Sequence, residues 1–253
     1  MEAHQANRVI LMTEYRERFY RERVKAPGLT SFQISVGETD LWVSADRRLD
    51  REALDSVFQY RHQVENYIKG HEAFLKTLLP YPGDPFAPPI IREMIAAARA
   101  AGVGPMASVA GAIAQFVGRD LLKWSEKVIV ENGGDIFLSV NRAVTVSVFA
   151  GESVLSEKIG IRIPENQMPV GVCASSGTVG HSFSLGRADA VCIIAPSAAL
   201  ADAAATALCN GVKTKKDIKE VPARADRITG LAGGLAILED TMATWGDIEL
   251  VGL

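Results

Sequence analysis

The sequence predicts an α+β fold in which mostly antiparallel sheets pack against helices. Two observations support this fold class. Short runs in which apolar and polar residues alternate are separated by turn residues, which is typical of strands joined in hairpins. Longer segments with apolar residues at helical spacing lie in groups between these runs, so helices should cover the sheets. With 253 residues, 48% of them hydrophobic, the chain can form one large or two small globular domains.

The first half of the chain predicts a strand, a hairpin and three helices. The elements are a strand over 15–21, a hairpin of 32–36 with 41–43, a long interrupted helix from Asp50 to Leu78, and helices over 90–101 and 106–124. Gly102 follows the second of these helices as a stop signal. Five prolines between residues 80 and 89 exclude regular structure there. We therefore expect a single domain over 1–253, with a subdomain boundary in segment 80–89.

The second half predicts strands around one long helix. Strands are expected over 127–131, 136–140, 144–148, 159–163, 170–173, 190–195, 235–238 and 248–251. Segments 136–140 and 144–148 flank Asn141-Arg142 and predict a hairpin. A helix capped by Ser197 runs to Asn210, with Gly211 beyond its end. The order of strand, helices and hairpin occurs in both halves, which predicts two related subdomains.

Composition and charge exclude several classes of protein. Lys and Arg number 27 against 30 Asp and Glu, so the net charge of −3 gives no strong attraction for nucleic acid or an anionic membrane. The apolar run 9–12 is too short for a signal peptide or a membrane span. Cys173, Cys192 and Cys209 lack the spacing of a zinc or redox site and are expected to be reduced and buried. We therefore expect a cytoplasmic protein that contacts neither nucleic acid nor membrane.

Asp202 and Thr206 form the first candidate site. They lie four residues apart in the helix capped by Ser197, so a carboxylate and a hydroxyl share one helix face. Oxygen ligands of this kind suit Mg²⁺, which usually completes its shell with water and substrate phosphates. The positive end of the helix would also favour a bound phosphate. The alternative is an ordinary solvated helix face.

A run of small hydroxyl residues and glycine forms the second candidate site. Ser175, Ser176 and Gly177 follow a predicted strand and are suited to turning backbone N–H groups toward one bound anion. A plain turn between strands explains the same residues. His181 comes next, and its imidazole would either act as a general acid or base near neutral pH or serve a structural role.

The third candidate is the turn of Gly133, Gly134 and Asp135 after a predicted central strand. Paired glycines allow a ligand to approach the backbone, and the carboxylate would bond to a ribose or fix the loop. A tight structural turn is the alternative. The sequence contains no Walker loop, dinucleotide fingerprint, H-E-x-x-H motif or nucleophile elbow.

Taken in order, these segments resemble the ApbE family of flavin transferases. The resemblance covers residues 105 to 211 and rests on segments 107–114, 130–136 and 174–177, on His181, and on segment 201–208. It implies an ApbE-like α+β fold and an enzyme that uses FAD and Mg²⁺ to attach FMN to a Ser or Thr of a protein acceptor. It also implies residue roles.

By this resemblance, the carbonyl of Ala107 with Asp202 and Thr206 would hold Mg²⁺. The turn at Gly133, Gly134 and Asp135 would line the flavin pocket. His181 would lie near the site of transfer.

Two departures place the chain in a divergent branch of the ApbE-like superfamily, which we expect to be cytoplasmic. Ala110-Gly111 stands where the family usually has Lys-Gly, and segment 182–186 lacks the family's Asp and Thr. Some similar proteins of anaerobic bacteria and archaea are linked to sulfur assimilation and homocysteine formation. Two hypotheses follow: a Mg²⁺-dependent enzyme that binds or transfers a flavin nucleotide (FAD or FMN), or a non-transferring accessory protein that serves a sulfur-metabolism partner. In the second, an exposed, low-pKa Cys173 thiol would carry sulfur.

Overall fold

The computed structural model describes residues 28–178 and 185–253. The predicted strand over 15–21 and His181 therefore lie outside the described residues. In the described residues, helices cover one face of an eight-stranded sheet, and a smaller three-stranded sheet packs on the other face. This α+β arrangement confirms the predicted fold class.

The elements follow the sequence closely. The first half contains β1 (Thr30–Val36), β2 (Thr39–Ala45), α1 (Asp50–Gly70), α2 (Glu72–Lys76), α3 (Pro89–Ala101), a 3₁₀ helix (Pro105–Ser108), α4 (Val109–Leu121), β3 (Val128–Asn132) and β4 (Asp135–Ser139). The remainder contains β5 (Val144–Ser147), β6 (Ile159–Ile163), β7 (Val170–Ser175), β8 (Ala190–Ala195), α5 (Ala198–Asn210), α6 (Lys215–Ile218), α7 (Val221–Ala225), β9 (Gly233–Leu238), β10 (Thr241–Gly246) and β11 (Glu249–Gly252). The sequence did not predict α6, α7 or β10.

The large sheet has the strand order β1-β2-β3-β4-β7-β8-β9-β10, and every neighbouring pair is antiparallel. Its first four and last four strands share one plan, in which helices are inserted between the second and third strands. The three-stranded sheet has the order β11-β6-β5.

The predicted hairpin between segments 136–140 and 144–148 is wrong. Strand β4 pairs with β3 and β7, whereas β5 pairs with β6 in the other sheet. The tight turn instead lies at Gly133 and Gly134, whose φ angles of 71° and 107° are readily adopted only by glycine. Because β3 and β7 occupy both edges of β4, the chain leaves the large sheet after this strand.

Three apolar clusters form the core. Two lie between the large sheet and the helices, and the third lies between the two sheets. Val57, Phe74 and Ile90, which flank the proline-rich segment in the chain, belong to one cluster. Among the described helices, none is by itself long and apolar enough to span a membrane, although α3 and segment 105–121 would meet that test together across a bend of 103°.

Candidate functional site

The strand register brings three polar side chains to one corner of the large sheet. Asn132 is the cross-strand neighbour of Asp135, and Asp135 is the cross-strand neighbour of Cys173. Cross-strand neighbours point to the same face of a sheet, here the face covered by helices. Asp202 approaches them from α5. We call Asn132, Asp135, Cys173 and Asp202 the acidic corner.

Asp202 is held against the first turn of α4. One oxygen of its carboxylate, Oδ2, accepts a hydrogen bond of 2.9 Å from the backbone N–H of Gly111. That N–H lies in the first turn of the helix, where it has no partner within the helix. A Cβ on Gly111 would lie 2.3 Å from the carbonyl oxygen of Ala198, so only glycine allows α4 and α5 to approach this closely. The glycine thereby brings the carboxylate to the helix terminus.

The glycine turn is tied to the same helix. Asn132 Nδ2 donates a hydrogen bond of 3.1 Å to the carbonyl oxygen of Ala110 in α4. Glu131 Oε1 accepts a hydrogen bond of 2.9 Å from the backbone N–H of Gly134. These two contacts fix the hairpin end beside the N-terminus of α4.

Asp135 and Asp202 are two carboxyl groups in a poorly solvated place. Asp135 is only 7% exposed, and its Oδ1 has no hydrogen-bond partner. Burial, and next the charge of Asp202, raise the pKa of Asp135 well above its usual value. Burial raises the pKa of Asp202 to about 7, against the opposing effect of the N–H groups of Gly111 and Ala110. In the described part of the chain, neither carboxyl group forms an ion pair with Lys or Arg.

Cys173 closes the floor of the corner. Its Sγ donates a hydrogen bond of 3.3 Å to the carbonyl oxygen of Ala198, and the residue is fully buried. Burial raises the pKa of this thiol, and the charges of Asp135 and Asp202 raise it further. A buried, protonated thiol is a poor nucleophile. All three cysteines are free and buried, as predicted.

The other two residues of the predicted metal site lie on elements next to this corner. Thr206 is one turn beyond Asp202 on α5 and is partly exposed. Ala107 lies in the 3₁₀ helix that packs against α5. The described ranges contain no group of three or more His, Cys, Asp or Glu side chains arranged to hold a metal ion by themselves.

The predicted anion-binding run begins at the end of β7. Ser175 is buried, and Gly177 donates its backbone N–H to the carbonyl oxygen of Ala188 at 2.8 Å. The N–H of Thr178 is directed to Ser176 Oγ at 3.1 Å. These two N–H groups therefore stabilise the loop itself.

Sequence reasoning missed a buried polar cluster at the start of α5. Gln115 Oε1 accepts a hydrogen bond of 2.7 Å from the N–H of Ala198, and its Nε2 donates to Glu93 Oε1 at 3.2 Å. Ser197 Oγ donates to the same Glu93 oxygen at 2.7 Å. The available signal was a lone glutamine on the apolar face of α4, where a buried amide needs a partner. The cluster fixes the start of the helix that carries Asp202.

Comparison with known proteins gives consistent matches along the chain. The family described as "AbpE bacteria" matches residues 21–229. A UPF0280 protein of Methanocaldococcus jannaschii is 38% identical over 226 residues, which cover 87% of this chain and 92% of that protein. A UPF0280 protein of Methanosarcina acetivorans is 37% identical over 243 residues, which cover 95% of each chain.

Two solved structures share the fold at low identity. A mutant of the flavin transferase ApbE from Vibrio cholerae superposes with a TM-score of 0.52 at 13% identity, covering 86% of this chain and 96% of that one. The apo form of the Pseudomonas stutzeri flavinyl transferase ApbE gives a TM-score of 0.51 at 14% identity, covering 88% and 94%. The architecture is therefore that of ApbE proteins.

Proposed function

Because the chain belongs to the UPF0280 family of ApbE-like proteins, we propose that it is a Mg²⁺-dependent enzyme that binds FAD at the acidic corner and transfers FMN to an acceptor hydroxyl. Both ApbE structures are of flavin transferases, and we extend that chemistry to this chain. What supports its placement on this chain is the pair of carboxyl groups, Asp135 and Asp202.

The acidic corner has the donor chemistry that Mg²⁺ requires. The Asp135 Oδ1 atom is buried without a partner, and a carboxyl oxygen in that position lacks the hydrogen bond that buried polar atoms normally have. Mg²⁺ is commonly bound by one or two carboxylates, with water and phosphate oxygens as further ligands. Asp202 and Asp135 would hold the ion, and Thr206 with the carbonyl of Ala107 would complete the protein's share. When bound, Mg²⁺ would neutralise diphosphate charge and charge developing on the bridging oxygen.

The chain's own groups would bind and orient the nucleotide. The N–H of Gly111 holds Asp202 in place, so that its other oxygen, Oδ1, is the one we assign to the ion. Gly133 and Gly134 carry no side chains, which lets a ligand approach the backbone of the turn. His181 would take the proton of the acceptor hydroxyl. Ala110 stands where the family usually has lysine, so neutralisation of the diphosphate charge in this branch would depend more heavily on the Mg²⁺ that the two carboxylates would hold.

Calorimetry with FAD, with and without Mg²⁺, tests this proposal. We expect the wild-type protein to bind FAD only when Mg²⁺ is present. Asp202→Ala should weaken this binding by at least about 100-fold, because the ion loses one of its two carboxylate ligands. Asp55→Ala removes an exposed carboxylate of α1 and should bind like the wild type. Unchanged affinity in Asp202→Ala would exclude the acidic corner as the site.

Chromatography of the reaction mixture should also show AMP released from FAD when an acceptor protein is supplied, and its absence would argue against transfer.

A further inference from the structure

A separate cavity lies between α3 and the proline-rich segment. Its volume is about 360 Å³, at the small end of the range for ligand pockets. The lining residues are Gly83, Asp84, Pro85, Arg92, Ile95, Ala96 and Arg99. None of them belongs to the acidic corner, so this cavity needs its own explanation.

The floor of the cavity is one face of α3. Arg92, Ile95, Ala96 and Arg99 are spaced at i, i+3, i+4 and i+7, so their side chains point the same way. The two arginine side chains therefore flank the exposed Ala96, with the almost fully buried Ile95 beside it. Over the described ranges, neither arginine forms an ion pair or a side-chain hydrogen bond. Arg61, by contrast, contacts both Glu38 and Glu65 at 2.7 Å.

The opposite wall is held in shape without a ligand. Asp84 Oδ2 accepts a hydrogen bond of 2.9 Å from the hydroxyl of Tyr67, and its Oδ1 accepts one of 2.9 Å from the N–H of Phe86. Each oxygen of this carboxylate thus accepts a hydrogen bond that stabilises the loop. A Cβ on Gly83 would lie 3.2 Å from Arg99 Nη1, so the glycine leaves room for the guanidinium against the wall. Such a preformed wall reduces the ordering cost of binding.

We propose that this cavity is a binding site for a small phosphate monoester, whose phosphate contacts Arg92 and Arg99 and whose organic part lies on Ile95 and Ala96. Guanidinium groups bind phosphate through paired N–H donors, and two of them favour a phosphate dianion over a singly charged carboxylate. The apolar floor between the arginines accommodates a small hydrocarbon or ring. The site shares no residue with the acidic corner, so a result that contradicts one proposal leaves the other unaffected.

Titration of the full chain with phenyl phosphate, followed by ³¹P NMR at constant ionic strength, tests the site. We expect saturable binding by the wild type, and at least about tenfold weaker binding by Arg92→Gln and by Arg99→Gln, which corresponds to the loss of one charge-assisted contact. Arg47→Gln removes an exposed arginine outside the cavity and should bind like the wild type. The affinity for FAD with Mg²⁺ should be unchanged in all three variants.

Three results would overturn the proposal. The first is the absence of saturable binding by the wild type. The second is wild-type affinity in both Arg92→Gln and Arg99→Gln. The third is benzoate binding as tightly as phenyl phosphate, which would assign the site to carboxylates. Because the variants change exposed side chains, circular dichroism should show that they remain folded.

Discussion

Strands β4 and β7 send alternate side chains to two very different environments. On one face, Leu138, Val170 and Val172 pack into the apolar cluster between the two sheets. On the other face, Asp135 and Cys173 meet the helices, together with Asp202. The first environment is almost entirely apolar. The second contains the buried carboxyl group of Asp135, whose Oδ1 has no hydrogen-bond partner, and the partly buried carboxyl group of Asp202.

The difference indicates where stability and function reside. Apolar side chains packed without voids contribute stability through burial. Carboxyl groups buried without a cation cost stability, so a fold normally keeps them only where they bind something. Adjacent residues of one strand thus stabilise the fold on one face and, by our proposal, bind a ligand on the other. Substitutions on the two faces should have opposite effects on stability.

The largest expected effect comes from the apolar face. Leu138→Ala should lower the free energy of unfolding by about 2–5 kcal/mol, because it removes a fully buried side chain and leaves a cavity. Urea unfolding followed by circular dichroism measures this change. The affinity of the folded fraction for FAD with Mg²⁺ should stay within about twofold of the wild type, since the site is on the other face. A loss of less than about 1 kcal/mol would mean that this core relaxes around the deletion.

The strands were the part of the fold that the sequence predicted best. Local alternation predicted β1, β2 and β6 to β9, and the structure confirms these strands. It gave the wrong partner for β5, because alternation shows that a segment is a strand but not which strand lies beside it. It missed β10, whose side chains are all at least partly exposed, which weakens the apolar signal.

The opposite face yields the second prediction, a change in the pH dependence of stability. In the unfolded chain both carboxyl groups ionise near pH 4, whereas in the folded protein the pKa of Asp202 is raised to about 7 and that of Asp135 is raised well above its usual value. The folded state therefore binds more protons between about pH 4 and 7. Without Mg²⁺, wild-type stability should fall as pH rises through this range.

Asp135→Asn removes one of these carboxyl groups and with it the repulsion between the two negative charges. In the absence of Mg²⁺ it should raise stability at pH 8 by about 1–2 kcal/mol, or roughly 2–4 °C in Tm for each kcal/mol, and have little effect at pH 4. Calorimetric scans at both pH values measure the change. Asp84→Asn is the matched control, since the N–H of Phe86 and next the hydroxyl of Tyr67 lower the pKa of Asp84, so this variant should be less stable at pH 8. Equal destabilisation by both variants would show that Asp135 is not under electrostatic strain.

The acidic corner was only partly accessible to sequence reasoning. Spacing alone put Asp202 and Thr206 on one helix face, because that relation is local. The approach of Asp135 to Cys173 depends on the pairing of β4 with β7, which lie far apart in the chain. The contact between Gln115 and the start of α5 joins residues 83 positions apart. Neither contact follows from local periodicity.

The smallest expected effect is a difference in alkylation rate between two cysteines, one on each face of the sheet. Cys173 lies on the acidic face, and Cys192 lies in the cluster between the sheets. Burial raises the pKa of the Cys192 thiol to about 12, and burial with the neighbouring carboxyl charges raises that of Cys173. In native protein, iodoacetamide should modify neither residue until the sheet opens, so their labelling rates by mass spectrometry should agree within about threefold.

Rapid labelling of Cys173 alone would contradict this expectation. It would show that the acidic face opens independently and exposes the thiol, as a sulfur-carrying accessory protein requires. The same experiment on Asp135→Asn would then distinguish the cause. If repulsion between the carboxyl groups drives the opening, the variant should return Cys173 to the rate of Cys192, because the charge that opens the face has been removed. If Cys173 still reacts quickly, the packing of α5 against β7 at Ala198 is the weak contact.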